Sequence, residues 1–193
     1  MITKVRTDVL KREALKSVAI LGVFVAFLWI LEAVDWIFWG GQLDGFGIRP
    51  RTMIGVRNIL IAPFLHNGWA HLLSNTAPLL ILGALVMIRG TSDFITVTIV
   101  SILVSGAGVW LLGGAHTLHL GASGIIFGYL GYLLTRGYLE RSGLAILLAL
   151  VAIFLYGGII WGVLPLQNGV SWLGHLFGLI GGGVAARTLV QRA

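Results

Sequence analysis

The chain has 193 residues, of which 58% are hydrophobic and only 10% charged, with no cysteine and a formal net charge of +6. A soluble domain carries roughly 25% charged residues, so this chain lacks the polar surface to cover itself in water. The missing cysteine excludes disulfides and thiolate metal sites, and basic residues standing singly between apolar runs argue for membrane-flanking loops and against a nucleic-acid-binding face.

Six apolar segments follow in chain order, at residues 17–39, 70–88, 94–112, 121–138, 144–163 and 170–189. Each is long enough to cross about 30 Å of hydrocarbon as a helix rising about 1.5 Å per residue. Their continuous apolarity does not alternate as the strands of a membrane barrel would. The first run is too long for a cleavable signal peptide, and carboxylates and tryptophans follow it where a small-residue cleavage site would stand. The expected fold class is an all-α membrane protein, a six-transmembrane-helix bundle. Residues 1–16 form a cytoplasmic N-terminal arm and residues 17–193 one membrane domain.

Orientation follows from the loops. Lys4, Arg6, Lys11, Arg12, Lys16, Arg89, Arg136, Arg141, Arg187 and Arg192 all fall on one side if six spans are counted. The positive-inside rule makes that side cytoplasmic and puts both termini there. The long first outer loop, residues 40–69, is the exception, with Arg49, Arg51, Arg57 and Asp44. It mixes Gly-rich and apolar stretches, as a segment lying on or dipping into the membrane surface would. Glu32 and Asp35, one turn apart near the end of the first span, read as a solvated rim. Trp29, Trp36, Trp39, Trp69 and Trp172 suit the interfacial belt.

Polar residues inside membrane spans are costly and tend to be functional. The second, fourth and sixth spans all start from the outer face, so His71, Asn75, Ser123 and His175 are expected within roughly 10 Å of that boundary. His71 and Asn75 are spaced i, i+4 and share a helix face. Small residues at i, i+4 let helix backbones nearly touch, and the pairs Gly124–Gly128, Gly174–Gly178 and Gly178–Gly182 flank Ser123 and His175. A serine needs a neighbouring base to take its proton, and histidine suits that near neutrality. No carboxylate lies near His175 in the sixth span, so a Ser-His dyad is expected. Ser123 opens its helix, where its N–H is free to face an oxyanion, and His71 and Asn75 are further donors. The pattern Gly-x-Ser-x-Gly is not matched, since position 125 is Ile.

The ordered motifs His71-Leu-Leu-Ser-Asn75, Gly121-Ala-Ser123-Gly124 and His175-Leu-Phe-Gly178 resemble those of the rhomboid intramembrane serine proteases. The resemblance runs from about Arg49 to Gly183. It implies a six-helix bundle that cleaves transmembrane protein substrates in the lipid bilayer, with no metal or other cofactor, Ser123 as nucleophile and His175 as base. It also implies oxyanion stabilisation by His71, Asn75 and Ser123, and support from Gly121, Gly124, Gly178 and Phe127, the last packed against the catalytic histidine. Substrate access between the second and fifth spans is implied too, and Gly157-Gly158 is a place for the fifth to loosen. The expected location is a prokaryotic inner (plasma) membrane. Two features depart from the family pattern: no Trp is followed by Arg, and Gly174 stands before His175 where Ala is usual. Two other classes use the same polar layer. One is an inactive rhomboid-like binder, which would lack a dyad residue. The other is a transporter, which would continue a polar path to the inner face; the lower halves of the fourth and sixth spans do not offer one. His66 is expected to be structural or close to substrate, and His116 and His119 to be loop residues.

Overall fold

A computed structural model describes residues 2–167 and 169–191. Arg192, counted above with the tail, lies outside the described residues. These described residues form seven α-helices in order: α1 (Ile2–Val34), α2 (Met53–Asn58), α3 (Trp69–Met87), α4 (Thr91–Leu112), α5 (Ser123–Glu140), α6 (Gly143–Tyr156) and α7 (Trp172–Val190). Among the described residues the only β-structure is an isolated bridge between Ile48 and His119.

Among the described residues five helical segments are long and apolar enough to cross a membrane: Lys11–Trp39, Trp69–Met87, Thr91–Leu112, Gly143–Val163 and Trp172–Val190. Each matches an apolar segment of the sequence to within a few residues, apart from the longer N-terminal start of the first. The remaining segment becomes α5, which is absent from those five. The reason is its position. It packs against α3, α4, α6 and α7, and Ile125 to Leu133 are all buried. A helix surrounded by other helices meets protein and not lipid, so it tolerates Tyr129, Tyr132 and Arg136 on its length. The exposed large apolar residues sit instead on the outer helices, with Phe154 87% and Phe38 72% exposed.

The closest packing is between α5 and α7. A Cβ placed on Gly178 would lie 2.3 Å from the Gly124 carbonyl oxygen, and one on Gly182 would lie 1.8 Å from that of Gly128. No other residue fits there, which is the backbone contact expected from the glycine spacing. Helix α4 is stitched to the same pair, since Ser105 Oγ donates to the Gly174 carbonyl at 2.9 Å.

At the end of the bundle where α5 stops, the charges gather into one network. Arg136, 6% exposed, donates to Asp93, to Tyr132 and, at 2.6 Å, to Glu140 Oε2. Arg89 donates to Glu140 Oε1 at 2.9 Å, so the α3–α4 turn is tied to the end of α5. At the opposite end the first loop folds back on the bundle. Arg51 Nη1 donates to the Gly113 carbonyl at 2.8 Å, satisfying the C-terminus of α4, which accounts for one cation in an otherwise anomalous basic loop. Met53, 84% exposed, and Ile54 extend the loop's apolar surface outward.

The expected solvated rim is corrected. Glu32 and Asp35 are buried, 7% and 4% exposed, because α1 widens into a π-helical turn at Asp35–Trp39 and the following 3₁₀ turn folds over them. Asp35 Oδ1 accepts from the Leu43 amide at 3.1 Å. The nearby Asp44 carboxyl is pushed up to about 6 by burial and by Asp35.

The glycine contacts carry a test. Gly182→Ala forces the α5 backbone away and should cost about 3 kcal/mol. Gly143→Ala, where an added Cβ meets nothing within 4 Å, should change stability little. Unfolding in detergent, followed by circular dichroism, measures both.

Candidate active site

Ser123 is the first residue of α5, and helical bonding begins at the Ile125 amide, which donates to the Ala122 carbonyl at 2.9 Å, so the Ser123 and Gly124 amides stand outside the helical ladder. His175 lies in the first turn of α7, 8% exposed. The α5–α7 contact brings them together, with His175 Nε2 2.8 Å from Ser123 Oγ. The other ring nitrogen, Nδ1, is 2.9 Å from the Gly162 carbonyl oxygen. A carbonyl only accepts, so Nδ1 carries the proton and Nε2 presents its lone pair to the serine. Phe127 stacks on the imidazole with centroids 4.2 Å apart and planes 6° from parallel. The ring is therefore fixed on its face and at both nitrogens.

His71 and Asn75 stand in the first turns of α3. His71 Nδ1 accepts from the Asn67 amide at 3.2 Å, which leaves the proton on Nε2, pointing away from its own helix. Gly121 makes room for that ring. Its φ is +110°, and a Cβ there would sit 2.8 Å from His71 Nε2, so both conformation and space demand glycine. Asn75 Nδ2 donates one hydrogen to the His71 carbonyl at 3.0 Å and keeps the other. Ser123, His175, His71 and Asn75 all line one cavity of about 810 Å³. Gly124 and Gly178 lie in the helix contact just below.

Two features had no clear signal in the sequence. The Gly162 carbonyl is a backbone group, and only the neighbouring Gly157-Gly158 hinted that the segment departs from an α-helix. His119, read as a plain loop residue, bonds through Nδ1 to Ser171 Oγ at 2.7 Å and through Nε2 to Thr117 Oγ1 at 2.8 Å. It thereby joins the loop before Ser123 to the start of α7, and burial lowers its pKa. His66 is 1% exposed and packs edge-on to His71 with centroids 5.1 Å apart. Its Nε2 accepts a long bond, 3.4 Å, from the Ala122 amide, so it braces the turn that delivers Ser123. Among the described residues no group of three His, Cys, Asp or Glu could hold a metal ion.

A helical bundle that buries a hydrogen-bonded Ser–His pair at the starts of two touching helices defines a class, and sequence comparison identifies the family. The rhomboid domain model matches residues 55–192. The chain belongs to the rhomboid family of intramembrane proteases and is an integral membrane protein. Among its relatives, an uncharacterized protein of Mycobacterium tuberculosis is 44% identical over 174 residues, 86% of this chain and 72% of its own length. An uncharacterized protein of Mycobacterium leprae is 42% identical over 86% of this chain and 68% of its own length. The Bacillus subtilis protein named putative rhomboid protease YdcA is 30% identical over 185 residues, 87% of this chain and 89% of its own length. These relatives are bacterial, which fits the plasma membrane.

Burial holds the His66 pKa down to about 4, with His71 adding to the effect. The folded value lies below the unfolded one, near 6.5, so the unfolded chain binds the extra proton. Stability is then full above pH 6.5 and falls on acidification towards pH 4, by up to about 1.4 kcal/mol per pH unit. Detergent unfolding across that range should show this loss, and His66→Gln should make it smaller, leaving the share that His119 contributes.

Proposed function

We propose that the protein is an intramembrane serine endopeptidase that cleaves transmembrane-segment substrates near the outer membrane face, using a Ser123–His175 dyad. The observation that carries this reading is the 2.8 Å contact between His175 Nε2 and Ser123 Oγ inside a cavity that also holds His71 and Asn75.

As Ser123 Oγ attacks the scissile carbonyl carbon, its proton passes to His175 Nε2 and the carbonyl becomes a tetrahedral oxyanion. The Ser123 N–H, His71 Nε2–H and the free Asn75 N–H supply donors to that oxygen. The imidazolium then gives its Nε2 proton to the leaving amine, the C–N bond breaks, and an acyl-enzyme remains on Ser123. A water repeats the sequence with His175 as base and releases the acid. No carboxylate enters these steps and no cofactor is needed.

Six spans with both termini cytoplasmic fit this reading, with α5 as the sixth. Arg89 and Arg136 share one end of the bundle, and Arg141 and Arg187 lie in the same end regions of their helices. That end is the cytoplasmic one by the positive-inside rule, so the dyad at the other end faces outward. Residues 1–16 then form the cytoplasmic arm and residues 17–193 the membrane domain.

A fluorophosphonate probe should label the detergent-solubilised protein, and Ser123→Ala or His175→Ala should remove both labelling and cleavage of a single-span substrate. Cleavage that persists in Ser123→Ala would sink the mechanism. His71→Ala and Asn75→Ala should each lower kcat by roughly 10²-fold while the unfolding midpoint stays close to wild type.

A further inference from the structure

The group that orients His175 belongs to neither of the helices that build the dyad. Helix α6 ends at Tyr156, and residues Gly157–Val163 continue as a 3₁₀ helix that packs on α7. Carbonyls in a last turn lack an intrahelical partner. The Gly162 carbonyl finds one in His175 Nδ1, at 2.9 Å.

Glycine at this position is also a steric requirement. A Cβ on Gly162 would stand 3.0 Å from His175 Nδ1 and 3.1 Å from Phe127 Cζ, within the stack that holds the imidazole. The same 3₁₀ segment walls the cavity through Gly158, Ile159, Trp161 and Gly162, opposite His71 and Asn75. One short segment thus both bounds the space for substrate and holds the distal nitrogen of the base.

We propose that the Gly162 carbonyl is a third, positioning member of the site, which holds His175 in its Nδ1–H tautomer and aims Nε2 at Ser123 only while residues 157–163 are seated on α7. The proposal rests on the dyad reading above and adds a requirement to it. In a serine triad a carboxylate fixes the base and stabilises its charged form. Here a neutral carbonyl does the first task fully and the second in part. When Nε2 takes the serine proton, the Nδ1–H to Gly162 bond becomes charge-assisted and tightens. A substrate that lifts the segment out of place takes this partner away, so the base is ready only once the segment has reseated around the bound chain.

The test changes the backbone and leaves the side chains alone. Replacing Val163 by its α-hydroxy acid turns the 162–163 amide into an ester, whose carbonyl accepts more weakly. Turnover of a single-span substrate should fall roughly 10- to 100-fold in kcat, part of the 10²–10⁴ that a positioned base contributes, with KM and unfolding midpoint near wild type. The same ester at Leu164, which weakens the Val163 carbonyl instead and removes the Leu164 N–H that donates to the Trp161 carbonyl at 3.1 Å, controls for the loss of a backbone donor and should stay within a few-fold of the wild-type rate. Gly162→Ala should show the same kcat loss as the 163 ester. In ¹⁵N-histidine NMR, with the His175 signals assigned by their loss in His175→Asn, the wild type should show protonated Nδ1 and bare Nε2. The 163 ester should mix the tautomers. A wild type with protonated Nε2, or a 163 ester with unchanged tautomer and unchanged kcat, overturns the proposal. A wild type that neither cleaves nor takes up the fluorophosphonate overturns the protease reading instead, and the tautomer still decides the role of the carbonyl.

Discussion

Two helices that touch backbone to backbone have no slack in how their flanking side chains meet. Along the α5–α7 seam, Gly178 faces the Gly124 carbonyl and Gly182 faces that of Gly128. The contact therefore advances in matched four-residue steps on both helices. Ser123 precedes the first of these glycines by one residue and His175 precedes Gly178 by three. Their separation of 2.8 Å is set by the seam and not by the serine–histidine hydrogen bond. A single such bond contributes about 1 kcal/mol net, too little to align two membrane helices. Packing along the whole seam can do so. Ser105 on α4 and the His119–Ser171 bond hold the same two helix starts from other sides.

Burial also favours a backbone group over a carboxylate as the partner of His175 Nδ1. An ion taken out of water carries a desolvation cost of several kcal/mol, repaid only by excellent geometry. A backbone carbonyl is cheaper to bury and still dictates which imidazole nitrogen holds the proton. The two orienting contacts on His71 and His175 are both backbone groups, an amide in one case and a carbonyl in the other. They act in opposite senses. The amide on His71 Nδ1 makes that ring a donor towards the cavity, and the carbonyl on His175 Nδ1 makes that ring an acceptor. Two residues of the same type are thereby committed to different electrostatic tasks by what touches their far side.

Much of this was legible in the sequence because it depends on residue type at fixed spacing. The glycine pairs announced the seam, the Ser and His beside them announced that the two side chains meet, and the helix phase of His71 and Asn75 put both on one face. The family resemblance, drawn from the same motifs, agrees with the domain match over residues 55–192. What was hidden has a common cause: it depends on backbone groups or on long-range folding. The Gly162 carbonyl carries no side-chain signature. Glu32 and Asp35 looked solvated because helix periodicity alone cannot show that residues 42–46 fold back as a 3₁₀ turn beside them. His119 looked idle because Ser171, its partner, lies 52 residues away.

The case of α5 shows how apolarity can mislead about position. Hydropathy reports what a helix needs in order to face lipid, so it ranks outer helices above inner ones. Helix α5 falls outside the five segments apolar enough to span, yet it is the helix that the others surround. Its polar residues are each matched from neighbours: Thr98 Oγ1 meets the Tyr129 hydroxyl at 2.7 Å, and Asp93 accepts from the Tyr132 hydroxyl at 2.5 Å. Removing one partner from such a buried set leaves a bare polar group, which costs more than the bond itself contributed. The helix that bears Ser123 is thus locked in depth by polar contacts towards its far end and in rotation by the glycine seam. Its N-terminal end, with Ser123, Ile126 and Phe127, opens on the cavity. The Ser123 hydroxyl sits at that opening, and the 3₁₀ segment after α6 walls the same cavity.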